Sequence, residues 1–217
     1  MALDHFDRID WEDLDADDAV DAALLAKRDE HERYERDEAT VDVVESKDGT
    51  ARCYILRDFD PSNPRVDFDN AGHMVCWHRH YNLGDEHRFS DPEDFEMTAK
   101  EWEGDDRIAV ILSLYLYDHS GITMSCSPFS CPWDSGQVGY IYLTRGDMMR
   151  EWGYKRLTAA RRAKLKAYLK AEVETYDQYL TGDVYGHVVV GGPNDGDSCW
   201  GYFGLKYAME EAKAMVE

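Results

Sequence analysis

The hydrophobic pattern of the chain predicts its two strongest elements in the middle and in the C-terminal half. Residues 107–117 (RIAVILSLYLY) are apolar on both faces through their middle, which is typical of a central strand. Residues 158–180 carry apolar side chains at three- and four-residue spacing, which predicts a long helix with one buried stripe. Thr158 is suited to be its N-cap and Gly182 follows its end. The stripe consists of Leu165, Leu169, Val173, Tyr176 and Leu180.

Alternating apolar and polar residues predict several hairpin strands elsewhere. Residues 40–45 and 52–58 alternate on either side of Lys47-Asp48-Gly49, which supplies the turn. The remaining predicted strands are residues 73–81, 122–126, 138–143, 183–190 and 199–203.

Further helices are predicted before, between and after these strands. The first covers residues 16–38, with a narrow apolar stripe at Val20, Ala23 and Leu24 and an almost wholly charged second half that we expect to be solvated. The others cover residues 90–102, 148–152 and 205–216. Strands grouped in hairpins among helices predict an α+β fold with a mainly antiparallel sheet. We expect residues 1–50 to form an acidic N-terminal segment and residues 51–217 a single domain.

The charge of the chain is strongly negative and unevenly distributed. The 217 residues include 45 acidic and 24 basic residues, a formal net charge of -21. Residues 1–106 hold 32 acidic and 12 basic residues, a difference of -20, while residues 107–217 hold 13 and 12. This balance argues against direct binding to nucleic acid or to an anionic membrane, because both are held by Lys and Arg. A hydrophobic fraction of 43% indicates a folded protein rather than an acidic disordered chain.

Export and membrane insertion are not expected from the sequence. No run approaches the ~20 apolar residues of a spanning helix, and the acidic N-terminus lacks the features of a secretory signal. Five cysteines, an odd number, then predict reduced thiols in a cytoplasm.

A first candidate site is the stretch Cys76-Trp77-His78-Arg79-His80. On a strand, Cys76, His78 and His80 share one face and could bind zinc together. A fourth ligand would come from His87, His119, Cys126 or Cys131. The alternative is an edge strand with one polar face, and on balance no cofactor is expected.

A second candidate site is a thiol nucleophile. Cys131 lies beside Trp133, Asp134 and Ser135 in a loop, and His119 or His187 could serve as its base. The alternative is a small, partly buried hydrophobic residue, which is what most free cysteines are.

The long helix carries an unusual run of cations. Between Lys155 and Lys170 the sequence has seven basic residues and no acidic one. They lie near the helix N-terminus, where the helix dipole disfavours positive charge. Either they pair with acidic residues of the chain or of another subunit, or they bind an anion. The net charge favours pairing.

Several motifs together resemble a protein family carried by phages and other mobile elements. The motifs are CWH with YNLGD (residues 76–85), YDHSGITMS (117–125), SCPWDSGQVGYIY (130–142) and VETYDQYLTGDVYG (173–186). The resemblance implies no catalytic residues. It implies a protein of the kind that phages use to bind and block host machinery, including restriction and CRISPR systems.

The sequence therefore predicts a non-enzymatic inhibitor of a host defence or nucleic-acid-binding protein, acting in the host cytoplasm. Its acidic residues would occupy a basic surface of the partner and imitate a phosphate backbone. The predicted contacts are Asp13, Asp15, Asp17, Asp18, Asp21, Glu30, Glu35 and Glu38. The alternative is a metal-dependent or cysteine-based hydrolase built around Cys76, His78 and His80 or around Cys131, His119 and Asp134. Homo-oligomerisation is left open.

Overall fold

The protein has an α+β fold with two four-stranded antiparallel sheets. A computed structural model describes residues 16–35 and 37–217. The helices in these ranges are α1 (Ala16–Glu35), α2 (Pro64–Asp67), α3 (Pro92–Gly104), α4 (Arg145–Trp152), α5 (Ala159–Thr181) and α6 (Leu205–Val216). The strands are β1 (Thr40–Glu45), β2 (Ala51–Arg57), β3 (His73–Cys76), β4 (Ile108–Asp118), β5 (Ile122–Ser125), β6 (Ser135–Thr144), β7 (Val184–Gly191) and β8 (Ser198–Phe203). Within the described part, no helix is both long and apolar enough to cross a membrane.

The chain forms two compact units whose boundaries differ from the predicted 1–50 and 51–217. Unit 1 joins the N-terminal part, up to Asp58, to the C-terminal part from Tyr185. Unit 2 consists of Phe59–Val184. Residue 50 lies in the turn between β1 and β2, so the predicted boundary would divide one hairpin.

Unit 1 is a sheet with the strand order β1-β2-β7-β8. The two faces alternate along β2, as the period of two predicts. Cys53 and Ile55 pack with Ala208 and Ala212 of α6, while Tyr54 lies on the opposite face. Unit 1 therefore has a helix on each face, because α1 covers the side of Tyr54.

The second half of α1 holds this helix to the sheet, which reverses the expectation from its sequence. His31 Nδ1 lies 2.8 Å from the Tyr54 hydroxyl, and the Tyr34 ring stacks on Tyr54 at 5.3 Å. Lys27 pairs with Asp195 at 2.6 Å. Leu24, which belongs to the predicted apolar stripe, is 64% exposed. The two aromatic contacts determine the docking of α1, so its charged half is anchored and is not a free solvated arm.

Unit 2 is a sheet with the strand order β3-β6-β4-β5. β4 lies between β6 and β5, so the prediction of a central strand is confirmed. The two faces of β6 carry different helices. Ile141 and Leu143 pack with the α5 stripe, whereas Tyr142 packs with Phe95 of α3.

The predicted α5 is confirmed with its N-cap at Thr158 and Gly182 in the left-handed region at φ 70°.

A buried ion network ties the loops of unit 2 to α5. The Arg65 guanidinium donates two hydrogen bonds to Asp85, at 2.7 and 2.8 Å, and a third to Glu172 at 2.9 Å. The second oxygen of Glu172 accepts the backbone amides of Ala71 and Gly72, both at 3.0 Å. Burial alone would lower the pKa of Arg65, but its hydrogen bonds with the two carboxylates raise it. The Arg65 guanidinium therefore stays charged and is hydrogen-bonded to both carboxylates.

We predict that Arg65→Met destabilises the protein by about 3–5 kcal/mol, because it leaves two largely buried carboxylates facing each other without a cation. Urea unfolding followed by circular dichroism measures this change. The control Arg107→Met breaks the exposed Arg107–Asp105 pair and should cost less than ~1 kcal/mol. Equal losses in the two variants would contradict a structural role for the network.

Candidate functional site

The loop that follows β3 contains the first candidate site, and its shape differs from the predicted strand. β3 ends at Cys76, and the chain folds back so that Gly84 forms a bridge with Val75. Gly84 has φ 74°, and a Cβ there would lie 2.8 Å from the Met74 carbonyl oxygen. Only glycine fits this return. His78 and His80 therefore lie on a loop and not on one face of a strand.

Two adjoining cavities share Trp77, His78 and Arg79. The first, of about 610 Å³, lies within residues 76–87. The second, which we call the groove, has a volume of about 340 Å³ and lies between this loop and the start of β6. The groove is lined by Trp77, His78, Arg79, Leu116, Asp118, Trp133, Asp134, Ser135, Gly136, Gln137 and Val138. The two candidate sites that the sequence predicted separately thus meet here.

His78 is oriented by the backbone of its own loop. Its Nδ1 accepts the amides of His80, at 3.3 Å, and of Tyr81, at 3.2 Å. The Tyr81 ring stacks on His78 at 5.0 Å. Because Nδ1 is an acceptor, the proton of the neutral ring lies on Nε2. This Nε2 is 3.9 Å from the Asp118 carboxylate.

Cys131, Asp134 and His119 also come together, in an order that differs from a thiol–imidazole–carboxylate arrangement. The Cys131 thiol lies 3.6 Å from Asp134 Oδ2, and His119 Nδ1 lies 3.5 Å from the same oxygen. The carboxylate therefore lies next to the thiol and accepts its hydrogen. A cysteine hydrolase needs the imidazole in that position, so His119 would have to move to act as the base.

The loop around Cys131 is held in place while it exposes a tryptophan. The Ser135 hydroxyl donates to the Cys131 carbonyl, and the Asp118 amide donates to the Asp134 carbonyl at 2.8 Å. Trp133 between them is 91% exposed. An exposed indole on a well-bonded loop is suited to contact another molecule, since little conformational entropy is lost on binding.

The structure places the predicted zinc ligands in different surroundings. Cys76 is buried with the α5 core, and burial raises the pKa of its thiol to about 12. His78 and His80 follow beyond the end of the strand. Among the residues described, no three His, Cys, Asp or Glu side chains form a group that could hold a metal ion. Zinc binding at Cys76, His78 and His80 therefore stays a prediction without the strand geometry that suggested it.

The other predicted ligands and bases lie in different surroundings. His87 Nε2 is 3.0 Å from the Cys76 carbonyl oxygen, whereas Cys126 lines a separate cavity beside Lys170. His187 belongs to unit 1, where it is buried and stacks on Tyr202 at 5.3 Å.

The predicted acidic contacts are described only in part. Asp13 and Asp15 lie outside the described residues. Asp17, Asp18 and Asp21 lie on α1, but their side chains are not among those described. Glu30 pairs with Lys27 at 3.0 Å and Glu35 with Arg52 at 2.8 Å, while Glu38 is exposed. Two of the predicted contacts thus already have cationic partners.

The sequence did not predict the cluster of polar side chains around the Asp147 carboxylate. This buried side chain accepts hydrogen bonds from His73 at 3.1 Å and from the Thr144 hydroxyl at 2.6 Å, and it pairs with Arg150 at 2.9 Å. Burial alone would raise the pKa of Asp147, but these hydrogen bonds hold it well below its usual range. The hydrogen bond with Asp147 raises the pKa of His73. The one sequence signal was Thr144 three residues before Asp147, the spacing of a capping box.

Comparison of the chain with known protein families, curated proteins and solved structures found no match.

We predict that Asp134→Asn increases the rate at which Cys131 reacts with iodoacetamide by about five-fold or more. The Asp134 carboxylate, 3.6 Å from the sulfur, repels a negative charge there, and two unit charges at this distance interact by at least ~1 kcal/mol. Mass spectrometry of the Cys131 peptide over time measures the rate. The control Asp118→Asn makes the same charge change in the groove and should have a smaller effect. A slower reaction in Asp134→Asn would instead show that the carboxylate activates the thiol.

We also predict that His73→Gln loses more stability at pH 6 than at pH 9. The raised pKa of His73 in the folded protein means that its ion pair stabilises the fold fully below the unfolded pKa of about 6.5, and that this contribution is lost as the pH rises through the folded value. Asp147 remains ionised throughout this range. Urea unfolding at the two pH values tests the difference, with the exposed His80→Gln as control. A loss that is independent of pH would contradict the charged pair.

Proposed function

We propose that the protein is a non-enzymatic, acidic interaction protein of a phage or another mobile element, which inhibits a host defence or nucleic-acid-binding protein. It would do so by occupying a basic surface of that partner, in the manner of an anti-restriction or anti-CRISPR protein. The observation that carries the proposal is the charge of unit 1. This unit has 24 acidic and 10 basic residues, a net charge of -14, against 21 and 14 in unit 2, a net charge of -7.

The attachment of α1 supports a role for its first half in binding. Lys27, His31 and Tyr34 fix the helix along its second half, while Leu24 and Leu25 are 64% and 49% exposed. Residues 1–22 hold nine acidic residues and one arginine, a net charge of -8. An exposed leucine pair next to a dense acidic segment suits a partner whose basic surface also has apolar patches.

The motif resemblance supports the choice of partner. The motifs lie in residues 76–85, 117–142 and 173–186, mostly in unit 2, and the family that they resemble is carried by mobile elements. Proteins of such elements profit from blocking host enzymes that bind nucleic acid. A phosphate-like row of carboxylates competes directly for the surface that those enzymes use.

A hydrolase in the groove is the second candidate function. It is favoured by one observation: His78 and Asp134 line the groove, and the Asp134 carboxylate contacts both Cys131 and His119. A cysteine-based hydrolase requires that Asp134 support reaction at Cys131. The iodoacetamide experiment with Asp134→Asn therefore tests this candidate function.

We predict that charge reversal on α1 abolishes capture of the partner from a lysate of host cells. The test variant is Asp17→Lys/Asp18→Lys/Asp21→Lys, and the control Glu210→Lys/Glu211→Lys/Glu217→Lys makes the same charge change on α6 and at Glu217, just after it. Quantitative mass spectrometry should identify a nucleic-acid-binding protein whose recovery falls more than about ten-fold in the α1 variant, falls with added salt and is reduced by competing duplex DNA.

Three results would contradict this proposal. One is undiminished capture by the α1 variant, another is an equal loss in the α6 control, and the third is a partner that DNA does not displace. Each of these results would show that binding does not depend on the acidic residues of α1.

A further inference from the structure

The cations at the start of α5 have no acidic partner among the residues that the structure describes. We call this group the basic strip. It consists of Lys155, Arg156, Arg161, Arg162, Lys164, Lys166 and Lys170. In the described part of the chain, no carboxylate lies within 4 Å of any of these side-chain nitrogens. Arg161 is held over the Tyr154 ring at 4.5 Å, and the rest of the strip is exposed.

This arrangement is unfavourable for an isolated helix. Arg162, Lys166 and Lys170 follow each other at four-residue spacing, so like charges are neighbours on the helix surface. Arg162 also lies in the first turn of α5, where the dipole disfavours cations. The chain has almost two acidic residues for each basic one. A strip that stays unpaired in such a chain indicates an anionic partner outside the molecule.

The other helix of unit 2 presents the opposite charge. The exposed carboxylates of α3 include Glu93, Glu101 and Glu103, which we call the acidic face. No Lys, Arg or His of the described residues lies within 4 Å of them. Lys100 is the single basic residue of α3. Unit 2 thus has an unpaired acidic surface and an unpaired basic surface.

The two surfaces lie on opposite sides of the same sheet. Phe95 of α3 packs on the face of β6 that carries Tyr142, whereas Leu165 and Leu169 of α5 pack on the face that carries Ile141. Because side chains alternate along a strand, the sheet separates the two helices. The acidic face and the basic strip therefore cannot meet within one unit.

We infer that the basic strip of one molecule binds the acidic face of a second copy of this chain. The contact is heterologous, because two different surfaces meet, and repetition extends it head to tail. It is independent of the proposed host partner. The complementary charges of the two surfaces favour a second copy over nucleic acid, which could engage the strip alone.

The net charge of -21 does not prevent this contact at moderate ionic strength. At 0.15 M salt the Debye length is about 8 Å, so charges on distant parts of the two molecules are screened, while facing surfaces still interact. Association should therefore be strongest at an intermediate or low salt concentration and disappear at high salt.

Sedimentation velocity of the full chain over a range of concentrations tests the inference. At about 50 mM NaCl we expect the weight-average sedimentation coefficient to rise with protein concentration, and at about 500 mM, where the Debye length is ~4 Å, we expect a monomer. A monomer at every concentration and salt would overturn the inference. So would association that persists at high salt.

Charge-swapped variants identify the surfaces. The strip variant is Lys164→Glu/Lys166→Glu/Lys170→Glu, and the face variant is Glu93→Lys/Glu101→Lys/Glu103→Lys. Each alone should be monomeric, because its altered surface repels the surface that it would meet on a second copy. An equimolar mixture should associate again, since each supplies the surface that the other lacks.

The matched control Lys47→Glu/Lys206→Glu/Lys213→Glu changes the charge by the same amount at exposed positions of unit 1 and should associate like the unmodified protein. Its failure to associate would attribute the effect to net charge and overturn the inference. Failure of the mixture to associate would do the same. A duplex DNA oligonucleotide that binds the unmodified protein more tightly than a second copy does would assign the strip to nucleic acid instead.

Discussion

The arrangement of unit 2 depends on the buried guanidinium of Arg65. Its side chain is 2% exposed and joins three segments that are far apart in sequence, namely the segment around α2, the loop containing Asp85 and the middle of α5. Asp85 also accepts the Met74 amide at 2.7 Å, so the same carboxylate fixes the end of β3. The planar fork of arginine can satisfy two carboxylates and a carbonyl at once, which lysine cannot. The return loop that borders the groove starts from this junction.

The charge of the chain has a different distribution in space than along the sequence. The acidic first 106 residues are divided, because residues 59–106 fold with the basic helix α5 in unit 2. Unit 1 gains the C-terminal residues 185–217, which are also acidic overall. The sharp contrast in charge between the two halves of the sequence becomes a smaller difference between the two units, with a net charge of -14 in unit 1 and -7 in unit 2. The most acidic part of the chain is still the segment before and within α1. Within unit 2, the acidic helix α3 contrasts in charge with the basic run of α5.

Local patterns predicted the elements that local physics determines. The stripe of α5, its Thr158 cap and its Gly182 end follow from helix periodicity and capping, and the β1–β2 hairpin follows from alternation around Gly49. The strand predicted over residues 73–81 stopped early because the His78 ring accepts backbone amides of its own loop and Gly84 turns the chain back. An alternating polar sequence does not distinguish such a loop from an edge strand. Leu24 of the predicted apolar stripe is exposed, because the aromatic contacts of His31 and Tyr34 with Tyr54 determine how α1 lies.

The site could be predicted only as separate pieces. His78, His119, Cys131 and Asp134 were recognisable by residue type. The position of Asp134 in the groove with His78 depends on the pairing of β4 with β6, which places Asp118 and Asp134 side by side. Arg65 and Glu172 carried no signal, because a buried ion pair forms between residues that are 107 positions apart. Such pairs are recognised by tertiary geometry and not by spacing.

We propose that the protein acts through the acidic surface of unit 1. Hydrogen–deuterium exchange of the chain, alone and in complex with the partner captured from host cells, tests it most directly. We expect slower exchange of the backbone amides in residues 16–35 on binding, with little change in residues 76–89 and 131–137. Protection confined to those two segments, which border the groove, would contradict it and place the function in unit 2.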